Sequence, residues 1–173
     1  LSSVYAGNLD YYSSLISSNS AVIDVHEFFR KQSYRNRCVI AGANGVENSL
    51  KAQANKLELN NVNFLGFVKE EDKIALLNLC YGFIFPSHLR SEAFGISLLE
   101  AASVGKPLIS SEIGTGTTYV NIHHETGIVI NPGSSIDLRN AMQYLLDNPK
   151  IANDMGQAAK KRSKELFSGN DQA

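Results

Sequence analysis

The chain is short of excess charge, of cysteine and of long apolar runs, and each shortage removes a class of function. Its 173 residues carry 16 Lys and Arg against 17 Asp and Glu, a formal net charge of −1. That balance gives no electrostatic case for a nucleic-acid partner or for an anionic membrane surface. No apolar stretch approaches the roughly 20 residues that a bilayer-spanning helix needs, and no signal peptide opens the sequence. Cys38 and Cys80 form no metal or redox motif and adjoin apolar residues, which suits buried free thiols in a reducing compartment. A cytoplasmic location is therefore expected. There is no internal repeat and no low-complexity tract beyond the serine-rich stretch 13–20, which reads as a loop. With no initiator methionine, the chain reads as a fragment of a longer one.

What is present is an alternation of two patterns. Apolar runs at 3–6, 38–41, 63–65, 82–85, 107–110 and 127–130 read as strands covered on both faces. Helical patterns occupy about 21–31, 48–58, 70–80, 95–104, 135–147 and 150–167. Ser135 is the expected cap of the fifth helix, and Asn148-Pro149 breaks the chain before the sixth. A hydrophobic fraction of 43% over this length supports one well-cored domain. The expected fold class is α/β: a Rossmann-like, doubly wound parallel sheet of about six strands, ordered 3-2-1-4-5-6, with helices on both faces. Ligands of such sheets bind at the carboxyl ends of the strands, beside the loops after the first and fourth, here 7–14 and 88–95.

One stretch carries most of the chemistry: Ser91-Glu92-Ala93-Phe94-Gly95-Ile96-Ser97-Leu98-Leu99-Glu100. Tyr81-Gly82-Phe83-Ile84-Phe85-Pro86-Ser87 before it reads as a buried strand that stops at proline. The helix after it is closed by Gly105, with Pro107 beyond. A helix start offers unpaired N–H groups and partial positive charge to a phosphate. Carboxylates suit hydroxyls instead, and Glu100 lies one turn on, about 6–8 Å along the axis. Phosphate at the amides and hydroxyls at Glu92 and Glu100 describe a sugar nucleotide. His123, His124 and Glu125 invite a metal reading, but adjacent histidines in an extended or turn segment point apart, so no metal site is expected. Lys106 is read as a surface residue.

The stretch resembles the donor-binding motif of the family 4 retaining glycosyltransferases, in which two glutamates flank seven residues containing Phe-Gly. Leu65-Gly66-Phe67-Val68, Phe85-Pro86-Ser87, Leu99-Glu100-Ala101, Gly105-Lys106-Pro107-Leu108-Ile109 and Glu125-Thr126-Gly127 follow in family order. The wording of 87–95 and of 112–117 is most similar to bacterial O-antigen mannosyltransferases. The resemblance implies one half of a GT-B fold: a single donor-binding domain over 1–173, the C-terminal half of the enzyme, with 1–36 divergent and 168–173 a tail. By that resemblance Glu92 holds hydroxyls of the donor hexose, Glu100 holds the ribose, and Phe94, Gly95 and Ile96 lend backbone N–H groups to the phosphates. Gly66, Phe67 and Val68 meet the nucleobase, Gly7 lies on the first-strand loop, and Arg90 counters phosphate charge beside Glu92. The implied donor is GDP-mannose, with a UDP-sugar as the second choice, and no cofactor or metal is called for. The acceptor, a glycan or a lipid-linked glycan, would be met by the other half. The resemblance also admits peripheral placement at the inner face of the cytoplasmic membrane, and a homo-oligomer formed through the exposed cleft face.

The first-strand loop departs from the family pattern. Asn8 stands where an arginine usually follows the glycine, Ser13 stands at the usual lysine, and Asp10 occupies a third place where related enzymes put an arginine. Those cations clamp the leaving diphosphate, and losing two charge-assisted contacts costs about 3–6 kcal/mol. The alternative function is therefore a catalytically impaired nucleotide-sugar-binding or assembly module. A sugar-nucleotide epimerase or a phosphorylase-like enzyme would need a constellation of its own, which the sequence does not clearly offer.

Overall fold

In the computed structural model of the chain, residues 38–41, 47–59, 62–66, 68–87 and 95–167 are described. In chain order they form β1 (Cys38–Ala41), α1 (Glu47–Lys56), β2 (Val62–Gly66), α2 (Glu70–Leu79), β3 (Phe83–Phe85), α3 (Ile96–Ser103), β4 (Leu108–Ser111), α4 (Thr117–Val120), β5 (Gly127–Ile130), α5 (Ser135–Asp147) and α6 (Pro149–Phe167). β1 pairs with β2, and β3, β4 and β5 form a second group in that order, all parallel. Parallel neighbours need crossover connections, and helices supply them. These are the neighbours that the order 3-2-1-4-5-6 requires on either side of its first strand. The expected strand 3–6 lies outside the described residues, so the described sheet has five strands in two groups rather than about six in one.

β4 lies at the centre of the second group and is buried along its whole length. Successive residues of a strand face opposite layers. Ile109 joins Ile128, Leu138, Ala141, Leu145 and Met155 under α5 and α6. Leu108 joins Phe83, Phe85, Leu98, Ala101 and Ala102 under α3. Each large side chain so buried contributes about 1.5–3 kcal/mol.

The helix ends follow from local chemistry. α3 closes with the expected glycine: Gly105 has φ +80, its N–H donates to the Ala102 carbonyl, and the Lys106 N–H donates to Ala101. That pair of bonds is a Schellman closure. The cap of α5 is Ser134 rather than Ser135; its Oγ accepts from the Asp137 N–H at 3.1 Å. Either serine could serve, and the one with extended backbone does. Asn148 ends α5 and its carbonyl accepts from Ala152 in α6, with Pro149 at the first helical position. α4 is an additional single turn that the sequence patterns do not announce.

Candidate functional site

The strand that leads into the expected site ends at Phe85, with Pro86 buried and Ser87 half-buried behind it. Chain 88–94 lies outside the described residues, so Glu92, Arg90 and Phe94 are not placed; nor are Gly7 and Phe67. From Gly95 onward the geometry is explicit. Gly95 precedes α3 in the left-handed conformation, φ +74 and ψ 62, and its carbonyl accepts from Leu98 and Leu99. An added Cβ there would meet the Phe85 ring at 3.3 Å. Backbone hand and close packing both call for glycine at this position. No side chain caps α3, which leaves its leading amides, that of Ile96 among them, without intrahelical partners. The Ile96 side chain is 60% exposed, so this helix start faces outward.

Glu100 sits one turn on, its side chain 30% exposed. Leu98, Ala101 and Ala102 bury the opposite face of the helix and thereby direct Glu100 away from the core. Its Oε1 accepts from Lys73 Nζ at 2.6 Å, and the same ammonium lies 2.9 Å from Glu70 Oε2. Burial pulls the Lys73 ammonium down; the hydrogen bonds and charges of Glu100 and Glu70 outweigh it and leave the group above its ordinary value. Lys73 and Glu70 belong to α2, which opens just after Gly66, at the end of β2, and the half-buried Val68. One contact therefore joins two of the expected elements. Sequence gave no hint of it, because the partners are 27 residues apart. Lys106, expected at the surface, is half-buried and donates to the Asn78 carbonyl at 2.8 Å, the electronegative end of α2. Cys80, a free thiol, is half-buried; burial pushes it up against the opposing charge of Lys106.

A second set of quoted motif residues lies at the amino ends of β4 and β5. Asn121, fully buried, donates to Ser110 Oγ at 2.8 Å and to the Ile128 carbonyl, and Thr126 Oγ1 donates to its Oδ1 at 3.0 Å. Thr126 Oγ1 also accepts from the Ile122 N–H at 2.7 Å. Gly127 fits against Leu108 so closely that an added Cβ would stand 1.9 Å from the Leu108 carbonyl oxygen. Thr126 and Gly127 of the Glu125-Thr126-Gly127 motif therefore serve packing, and Glu125 is exposed. His123 and His124 do not point apart as expected: their ring centroids are 4.0 Å apart, because His124 takes φ +62. His123 Nδ1 accepts from the Val129 N–H at 2.9 Å, and the His124 N–H donates to the Gly127 carbonyl. Burial, then the charge of His124, lower the His123 pKa. An open cavity of about 720 Å³ runs beside β5, lined by Glu112, His123, His124, Asp137 and Tyr144 among others; Gly95, Ile96 and Glu100 take no part in it.

Residues 18–162 match the family described as Glycosyl transferases group 1. The chain belongs to that family. The D-rhamnosyltransferase WbpZ of Pseudomonas aeruginosa is 57% identical over 129 residues, covering 75% of this chain and 34% of its own length. The O-antigen chain mannosyltransferase C of Escherichia coli is 46% identical over 129 residues, covering 75% of this chain and 35% of its own length. The chain thus spans about a third of the length of the curated relatives it matches. Among solved structures, HepE of Anabaena in complex with UDP-glucose superposes with a TM-score of 0.69 at 25% identity, over 76% of this chain and 36% of its own. The group 1 match and this superposition account for the α/β order. Among the described residues no helix is long and apolar enough to cross a membrane.

Proposed function

We propose that the chain is the donor-binding half of a retaining hexosyltransferase that takes mannose from GDP-mannose for O-antigen synthesis. Glu100 carries the proposal: a half-buried carboxylate one turn into a glycine-opened helix, tied to the helix that follows the nucleobase turn. In this reading the amides at Gly95 and Ile96 receive the diphosphate, Glu100 the ribose, Gly66 to Val68 the base, and Glu92 with Arg90 the hexose and the leaving phosphate. The acceptor hydroxyl, brought by the other half, attacks on the face from which the diphosphate departs, and configuration is retained. Oxyanion charge that develops on the leaving phosphate is met by amides already oriented.

The test is calorimetric titration of the chain with GDP-mannose and UDP-glucose, with Glu100→Ala alongside. Hydrogen bonds to a charged acceptor contribute about 1.5–3 kcal/mol each, so the variant should bind at least about tenfold more weakly while remaining folded by circular dichroism. A folded chain that binds neither donor at several millimolar is the impaired module that Asn8 and Ser13 suggest. A second reading of the sugar is supported by the 57% identity to a D-rhamnosyltransferase. D-Rhamnose is mannose without its 6-hydroxyl, so preference for the GDP-rhamnose donor would assign the site to the deoxy sugar.

A further inference from the structure

We propose that Lys73 is a positioning residue of the ribose subsite: its ammonium holds one oxygen of Glu100 and turns the other toward the ribose hydroxyls. The proposal rests on the assignment of Glu100 to ribose made above. An ionised glutamate is an acceptor only, with two oxygens, and a lysine ammonium has three donors. Lys73 Nζ engages Glu100 Oε1 at 2.6 Å and Glu70 Oε2 at 2.9 Å. Glu100 Oε2 has no such partner among the described residues, and it is the oxygen left for two hydroxyl donors. Without the clamp, a glutamate at 30% exposure would sample several rotamers, and each contact with ribose would first have to order it.

Charge points the same way. One ammonium between two carboxylates leaves the cluster net negative, which favours hydroxyl donors and disfavours phosphate. The diphosphate is thereby directed to the amides one turn away, and the nucleotide can lie in one direction only. Lys73 itself is 18% exposed, and Glu70, one turn earlier on the same helix, fixes its head group. Because α2 opens just beyond Val68, the pair also sets the spacing between the base turn and the ribose carboxylate.

The experiment titrates GDP and UDP, each against its 2′,3′-dideoxy form, into the native chain, Lys73→Met, Lys73→Arg and Glu100→Gln. The native chain should prefer the ribonucleotide by about tenfold or more, since the preference reads hydrogen bonds to a charged acceptor. Lys73→Met should shrink that preference by about threefold or more while affinity for the dideoxy form stays put, and Lys73→Arg should restore most of it. An undiminished preference in a folded Lys73→Met overturns the clamp alone. A native chain with no preference overturns the ribose assignment of Glu100 and the clamp with it. If Lys73→Met fails to fold by circular dichroism, Lys73→Gln, a neutral donor, is judged by the same ratio.

Discussion

The two ends of the β3–β4–β5 sheet solve opposite problems. Toward the amino ends, buried polar groups are paired: Asn121 links Thr126, just before β5, to Ser110 within β4 and to main chain, and Gly127 leaves no space beside Leu108. At the carboxyl ends, α3 opens without a side-chain cap among the described residues, its first residue faces outward, and Ser111 Oγ is buried with no partner among them. A satisfied buried network specifies one arrangement, whereas unsatisfied groups are what a ligand can complete. The motifs that carry the family resemblance therefore fall into two kinds. Gly95 to Glu100 is the stretch we propose for binding, whereas Thr126-Gly127 packs against β4. Sequence alone treats them alike.

If that division is right, damage to the amino ends should lower stability and spare the donor affinity of whatever remains folded. Gly127→Ala should give the largest effect, more than about 4 kcal/mol in urea unfolding or no folded protein, because the Leu108 carbonyl and Asn121 Oδ1 already occupy the space. A mild loss would mean that the two strands can separate, and would break the comparison. Gly156→Ala is the subtler case. Alanine should favour α6 by about 1 kcal/mol on helix propensity. Its Cβ would lie 2.2 Å from the Gly105 carbonyl oxygen, where α6 presses on the closure of α3. We expect packing to win, with a net loss of about 1–3 kcal/mol; a gain in stability would show that the contact yields. The smallest effect should come from pH. The folded-state pKa of His123 lies below its unfolded value of 6.5, so on acidification the unfolded chain takes the proton first. Stability should be intact above about pH 6.5 and decline below it. His123→Gln should flatten that decline, and identical urea midpoints for native and variant near pH 5.5 would count against the Val129 bond.

Much of the framework could be read along the chain. Five expected helices match α1, α2, α3, α5 and α6 within a residue or two, and the glycine closure of α3 is the one that Gly105-Lys106-Pro107 implies. These features depend on neighbours in sequence. The capping serine was misplaced by one because Ser134 and Ser135 are chemically equal and only backbone conformation separates them. The histidine directions failed because a single residue at positive φ reverses the local geometry; histidine enters that region more often than most side chains, but too seldom for its presence alone to announce it. Lys73 and Gly156 escaped notice for another reason. Their partners, Glu100 and Gly105, are set by the crossing of helices, and no local pattern encodes that. Of the expected site, Gly66, Val68, Gly95, Ile96 and Glu100 lie among the described residues and are arranged around the start of α3 and the turn into α2.

The two histidines before β5 have a consequence for assembly. An uncovered sheet edge offers alternating main-chain donors and acceptors to any strand that arrives. Here the Val129 donor is taken by His123 and the Gly127 acceptor by His124, two adjacent rungs of the outer edge. A second copy cannot zip onto those rungs without first displacing the His123 imidazole at Val129 and the His124 main-chain N–H at Gly127. Self-association by strand addition is thus discouraged from within the chain, by a guard that weakens as His123 takes up a proton.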